Sequence, residues 1–325
     1  MYKPFKIDLL SIPNFWTTYY IHGLATHPEI EFRLRPDPIY HSFNYLNRFV
    51  LKITSEESEK LVLLDLDDPT ERHFTYHHQF DHIFLSQKRK DWKYPSEWKY
   101  HALYPHFPIR SFKMFSIQGI RMFHPSRLFR NLREFKAIFR QKPLWLTELN
   151  EKSVVDKGYI FYKRTLWRNL PAENMLSARF LDVCHRLGFK VEGGLSRIVD
   201  NYRTGIEQID KYVIRVRLSR LDYIKKTLRS EVCFNTPSIN GACSWRMGEY
   251  LAMDKPIIST PIKVEMPEGL HYLEVSDDPD LFEVQVEELL LNPKNFRNLS
   301  NRNVFLQKIH PVAQIDYILE TIGLR

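Results

Sequence analysis

The sequence predicts an α/β protein made of two doubly wound, Rossmann-like units facing each other across a cleft. Three observations carry that expectation. Short apolar or β-branched runs alternate with amphipathic helical segments, the pattern of parallel sheets covered by helices on both faces. The alternation breaks once, at a polar, proline-containing stretch over 141–157, and then restarts. A length of 325 residues, 43% hydrophobic and 14% aromatic, supports two cores. An N-terminal domain over 1–145 and a C-terminal domain over 146–325 follow, with the last helix a candidate to pack back on the first domain.

The first run reads as a strand over 5–11, a helix over 16–26 and a strand over 30–34. A buried strand over 61–64 ends in Asp65-Leu66-Asp67-Asp68-Pro69, and short strands follow at 82–85 and 102–104. Leu128, Leu132, Phe135 and Phe139 give helical spacing over 128–140. The second run reads as a strand over 159–163, a helix over 173–187, a strand over 190–192 and a turn at Gly193-Gly194. Leu218, Leu221, Ile224 and Leu228 share one face of a helix over 218–228. The apolar run Val232-Cys233-Phe234 then leads through a polar loop over 235–243 into a helix over 244–253. Asp254-Lys255-Pro256 stops that helix, and a strand over 257–260 follows. A strand over 272–275 and helices near 279–291 and 312–322 complete the chain.

Bulk chemistry narrows the classes. Eleven glycines and no internal repeat argue against disorder and solenoids. Cys184, Cys233 and Cys243 are an odd set without metal-ligand spacing, which points to buried thiols in a reducing compartment. No window approaches the roughly 20 apolar residues of a membrane span, and the N-terminus lacks a signal-peptide core. A cytoplasmic protein, at most peripheral on the inner membrane face, is expected. The net charge of +8 is concentrated: 88–142 holds 14 Lys and Arg against Asp91, Glu97 and Glu134. Nucleic acid, an anionic membrane surface or an anionic substrate would each suit that excess. The absence of any nucleic-acid reader motif sets the first aside. The amphipathic stretch over 127–140, where Arg130 and Arg133 stand beside Phe135 and Phe139, suits either a solvated helix or docking to an anionic inner leaflet.

The segment over 232–260 carries the most chemistry. A strand, a loop and a helix N-terminus in that order direct backbone N–H groups and the positive end of a helix dipole into one crevice. Arg246 and Glu249, three apart on the helix, share a face. One can meet phosphate oxygens, and the other can accept hydrogen bonds from sugar hydroxyls. On spacing alone the two also fit a solvated ion pair worth a few tenths of a kcal/mol.

The pattern TPSxxGxxSWRxxEYLAMxKPIIST resembles the donor-binding segment of GT-B-fold glycosyltransferases, in their family-4-like and exostosin-like branches. The resemblance runs more loosely over 158–322. It implies that Glu249 holds the donor ribose and that Arg246 lies near the nucleotide diphosphate. The loop with Asn240 and Gly241, followed by Ser244, would let the phosphates approach closely. Lys163, Arg164 and Arg168 stand where the family places diphosphate-binding cations after the first donor-domain strand. Two departures are visible. Many relatives carry a second glutamate eight residues before the first, where this chain has Gly241, and the basic spacing after Tyr162 is not the usual one. The implied activity is hexosyl or related glycosyl transfer, within polysaccharide biosynthesis. The sugar would move from a nucleotide-sugar donor to a saccharide or lipid-linked glycan acceptor, without metal or other cofactor.

The N-terminal half has no residue-by-residue match, and its chemistry stays open. A strand ending in Asp65-x-Asp67 is a pattern that metal-dependent transferases use to hold a metal–diphosphate, and it is also ordinary turn chemistry. Asp68, His78 and Asp81 are candidates for the base that would deprotonate an acceptor hydroxyl, with His77 a further one. A non-catalytic nucleotide- or glycan-binding relative is the third reading, kept open by Gly241.

Overall fold

A computed structural model describes residues 3–44, 46–68, 77–111, 149, 154–197, 202–238, 241–296 and 299–325. The helix expected over 128–140, most of the basic segment and most of the linker over 141–157 lie outside these residues, as does Asn240. The chain divides into two compact units. The first comprises 1–148, 263–268 and 304–325; the second comprises 149–262 and 269–303.

The first unit is built on a six-stranded sheet in the order β2-β1-β3-β4-β5-β6. Its strands are β1 (Phe5–Leu9), β2 (Ile30–Leu34), β3 (Arg48–Thr54), β4 (Glu59–Asp65), β5 (His82–Leu85) and β6 (Tyr100–Ala102). β3 was not expected. It runs antiparallel to both β1 and β4, so this sheet is mixed rather than wholly parallel. The cause is local: only Ser55 to Ser58 separate β3 from β4, closed by the Ser55 N–H to Ser58 carbonyl bond of 2.9 Å, and so short a link permits only a hairpin. On one face, Leu10, Phe43, Val50, Leu63, Phe80 and Ile83 form an apolar cluster. On the other, Phe49 meets Tyr20 of α1 (Thr18–Thr26), and Phe84 meets Tyr317 of the C-terminal helix (Pro311–Thr321). These two helices pack so closely at Gly23 that a Cβ there would stand 2.5 Å from the Pro311 carbonyl oxygen. Tyr19 Oη donates to the Ile309 carbonyl at 2.7 Å, and Tyr20 Oη bonds Gln314 Oε1 at 3.0 Å.

The second unit contains two three-stranded parallel sheets that adjoin edge to edge. One is β9-β8-β7, from β7 (Tyr159–Thr165), β8 (Lys190–Ser196) and β9 (Val213–Ile214). The other is β10-β11-β12, from β10 (Cys233–Asn235), β11 (Ile257–Ser259) and β12 (Leu273–Glu274). β7 and the segment entering β10 are tied by Glu231 N–H to the Tyr159 carbonyl (2.8 Å) and by Phe161 N–H to Ser230 Oγ (2.9 Å). The resulting order, 3-2-1-4-5-6 counted along this unit, is that of a doubly wound dinucleotide-binding sheet. Helices cover both faces. α2 (Pro171–Arg186) and a helix at Pro279–Leu291 share one core with Ile160, Tyr162, Phe234 and Ile258. On the opposite face Phe161 meets Tyr223, which lies on the helix Arg220–Arg229. Gly193 and Gly194, expected to form a turn, lie inside β8. Both have positive φ, and a Cβ on either would collide with a neighbouring strand carbonyl, of Tyr162 and of Tyr212. The glycines serve close strand approach, and the sequence signal for that is the same as for a turn.

Cys184, Cys233 and Cys243 are all buried free thiols. Burial pushes Cys233 and Cys243 up to about 12. Among the described residues, no helix is long and apolar enough to cross a membrane.

Candidate functional site

In doubly wound sheets ligands bind beyond the carboxyl ends of the strands, where the strand order reverses. In the second unit that point lies between β7 and β10. Two helices start there. Arg220–Arg229 is capped by Ser219, whose Oγ accepts from Asp222 N–H, and Trp245–Ala252 is capped by Ser244, whose Oγ accepts from Arg246 N–H. Their free N–H groups make this edge favourable for anions.

The three expected cations after Tyr162 take three different places. Arg164 is buried within β7. Its guanidinium donates to the Glu173 carbonyl (3.1 Å), to the Pro237 carbonyl (2.8 Å) and to Thr236 Oγ1. It is therefore a clamp joining the end of β7 to the loop after β10, with its donors directed at protein. Lys163, its neighbour, points to the other side and is half-buried. Burial, and then the charges of Arg217 and Arg220, hold its pKa below the usual lysine value. Arg168 is exposed and lies 4.7 Å from the Tyr202 ring centroid.

Arg246 sits in the first turn of its helix, 7% exposed. Its guanidinium donates to the Lys163 carbonyl (3.1 Å) and, through Nε, to Ser244 Oγ (3.3 Å), and lies 5.6 Å from the Tyr162 ring. Glu249, one turn on, has no exposed surface. It forms an ion pair with Arg220 through Oε1, and Oε2 has no hydrogen-bond partner. A buried carboxylate oxygen without a hydrogen bond is costly unless a ligand or water completes it. The Arg220 guanidinium also lies 5.6 Å from the ring of Trp245, which is 42% exposed. Gly241 adopts φ +75°, and the turn is closed by Gly241 N–H to the Ser238 carbonyl (3.2 Å). A glutamate would be strained in that conformation, which gives a physical reason for glycine here.

The structure thus brings Lys163, Arg246 and Glu249 to one edge and adds Arg217 and Arg220, which sequence reasoning passed over. A signal was present: Ser219 three residues before Asp222 is a helix-start pattern, and it places Arg220 at a helix N-terminus. The short strand β9 before it went unrecognised because two residues carry no periodicity.

In the first unit the acidic candidates separate. Asp65 is buried at the carboxyl end of β4, and Asp67 accepts two hydrogen bonds from Arg48, at 2.7 and 2.9 Å. Asp65 Oδ1 accepts from the Asp67 N–H at 3.0 Å. Asp68 follows at the same end. Although the residue as a whole is exposed, its carboxyl is pushed up, by burial first and by the charge of Asp67 second. Asp81 precedes β5 and accepts from Leu61 N–H at 2.7 Å, so it stands at the opposite, amino end of these parallel strands. His78 lies three residues before Asp81, beside His77, whose Nδ1 meets Tyr100 Oη (2.8 Å) at the start of β6. Among the described residues, no group of three or more His, Cys, Asp or Glu side chains is arranged to hold a metal ion.

No protein-family model matches the chain, and no curated protein does. Among solved structures it is similar to TarM, at 8% identity and a TM-score of 0.34, over 76% of this chain and 44% of that one. It is also similar to the wall teichoic acid polymerase TagF, at 14% identity and a TM-score of 0.30, over 74% of this chain and 72% of that one. The chain therefore spans less than half the length of TarM. Overlap this slight assigns neither substrate nor chemistry.

Proposed function

We propose that the chain is a metal-independent glycosyltransferase. Its second unit would bind a nucleotide-sugar donor, and its first unit a saccharide or lipid-linked glycan acceptor. One observation carries this reading. Lys163, Arg220 and Arg246 converge with two helix N-termini at the strand-order reversal, beside the buried carboxylate of Glu249. The cations suit a diphosphate, and the carboxylate suits a ribose diol, whose hydroxyls would supply the hydrogen bond that Glu249 Oε2 lacks.

In the proposed transfer the bond between the sugar anomeric carbon and the diphosphate oxygen breaks, and its electron pair leaves with the diphosphate. Lys163 and the helix dipoles stabilise that developing charge. The acceptor hydroxyl oxygen forms the new bond and loses its proton to a base. Asp68 is the favoured base among Asp68, His78 and Asp81. It alone stands at the ligand-binding end of its strands, and its raised pKa brings it nearer the working range of a general base. The second reading, metal-dependent transfer at Asp65 and Asp67, meets the obstacle that Arg48 already occupies Asp67. The basic excess over 88–142 is proposed as the face toward an anionic membrane surface that presents a lipid-linked acceptor.

A panel of nucleoside diphosphates tested by thermal shift checks the donor site. Binding at about 100 times Kd adds about 2.7 kcal/mol of stability. The Glu249→Gln variant keeps the shape and removes the charge, and it is expected to weaken the responding nucleotide about tenfold. A flat response to every nucleoside diphosphate would end the donor reading. Activity lost to EDTA and restored by Mn²⁺ would favour the aspartates.

A further inference from the structure

Asn235, the last residue of β10, is 1% exposed, and one half of its carboxamide is anchored. Its Nδ2 donates to Ser259 Oγ on β11 at 3.0 Å, and Ser259 Oγ donates to the Thr260 carbonyl at 2.8 Å. A serine hydroxyl has a single proton, so Ser259 Oγ can only accept from Asn235. The chain of bonds therefore fixes which end of the amide is nitrogen. Nδ2 is turned toward β11, Oδ1 is turned away from it, and Oδ1 has no hydrogen-bond partner. An amide oxygen buried in that state calls for a donor.

The direction away from β11 matters because β11 lies on one side of β10 and β7 on the other. The strand order reverses between β7 and β10, so Asn235 ends the strand that borders the crevice. Phe234 enters the core shared with Tyr162 and Ile258. Alternation turns the next residue of each strand, Asn235 after Phe234 and Lys163 after Tyr162, to the opposite face. The unpaired oxygen is thus on the lysine side of the crevice, at a strand end rather than at a helix start.

Oδ1 accepts and cannot donate, which makes it complementary to an O–H or N–H group and not to phosphate oxygens. In a nucleotide sugar the diphosphate brings acceptors alone, and Glu249 answers the ribose diol. The transferred sugar is the part with hydroxyls still unmet. We propose that Asn235 is a specificity-determining residue whose Oδ1 accepts a hydrogen bond from a hydroxyl or amide N–H of the transferred sugar, with Ser259 as its positioning residue. This rests on the donor assignment above. A sugar without that group leaves the buried oxygen unpaired and is discriminated against for that reason.

The test compares affinities of uridine, cytidine, adenosine and guanosine diphosphates with those of their glucose and N-acetylglucosamine esters, using the full chain. Asn235→Leu keeps the size and removes the acceptor, and melting curves verify that it folds. The responding sugar ester should bind the variant about tenfold more weakly, while the bare diphosphate stays within about twofold. One monodeoxy form of that ester should show the same loss on the native chain and bind native and variant equally, which closes the cycle on one hydroxyl. Loss confined to the N-acetylglucosamine ester, with every monodeoxy form unaffected, assigns the amide N–H instead. Ser259→Ala leaves Asn235 in place without its anchor and should lower ester affinity a few-fold, again sparing the diphosphate. It carries the comparison if Asn235→Leu fails to melt cooperatively. Equal losses for ester and bare diphosphate overturn the proposal, since the oxygen would then serve the nucleotide or the fold. Unchanged affinities overturn it too, leaving a buried water as the partner of Oδ1. A native chain that binds no nucleoside diphosphate and no ester removes the donor reading itself, and this assignment with it.

Discussion

Substituting Lys163 and Arg164 separately by methionine should produce opposite results, although the two cations are adjacent in sequence. Arg164→Met removes a buried guanidinium that donates to the carbonyls of Glu173 and Pro237 and to Thr236 Oγ1. Bonds to a charged donor are worth about 1.5–3 kcal/mol each, and Thr236, one of the acceptors left behind, is fully buried. The methionine recovers part of this by apolar burial. A net loss of about 3–5 kcal/mol is expected, as for other truncated buried charged groups. At about 2–4 °C per kcal/mol for a unit of this size, melting should fall by roughly 6–20 °C. Lys163→Met removes a half-buried cation crowded by Arg217 and Arg220, so melting should hold or rise slightly while nucleoside diphosphate affinity falls about tenfold. Differential scanning fluorimetry with and without nucleotide reads both quantities. An Arg164→Met protein that melts within about 2 °C of the native chain, or a Lys163→Met protein with full nucleotide affinity, would refute the division into clamp and ligand cation.

Gly23→Ala should destabilise the first unit by about 2 kcal/mol or more, since its methyl would meet the Pro311 carbonyl and Ile315 Cγ1 at 2.5 and 2.9 Å; urea melts check this. Burial lowers His101 and His106 to about 4. Both are neutral in the fold and take up protons more readily when unfolded, so the stability they contribute is full above about pH 6.5 and is lost as pH falls toward 4. A melting temperature that declines from pH 6.5 to 5, and declines less in a His106→Phe variant, is the expected result; a flat profile would contradict it.

The second unit was largely legible in sequence because short apolar runs alternate there with amphipathic helices. The pattern at 232–260 located the strand, loop and helix that carry Arg246 and Glu249. What escaped depended on contacts distant in sequence. Lys163 and Arg164 read alike as basic residues at a strand end, and only the alternation of β7, together with the loop after β10, buries one and leaves the other half-buried. Arg220 announced a helix start but not its pairing with Glu249. In the first unit, β3 was missed although Phe49, Leu51 and Ile53 alternate, because Val50 breaks the pattern: this strand is buried on both faces. Asp68 and Asp81 looked equivalent as acids near strands. Register alone puts them at opposite ends of the sheet.

The packing of α1 on the C-terminal helix has a consequence for biosynthesis. Tyr19 and Tyr20 find their partners 290 and 294 residues further along the chain. As the polypeptide emerges, the whole second unit is complete before those partners exist, and its contacts do not require them. The first unit must wait with the apolar side of α1 uncovered until residues 309–321 leave the ribosome. At about 5–20 residues per second that interval is on the order of 15–60 s. During it, the unit that begins first is the one that finishes last. A holdase able to shield α1 should therefore raise the yield of native protein more than one that acts on the second unit.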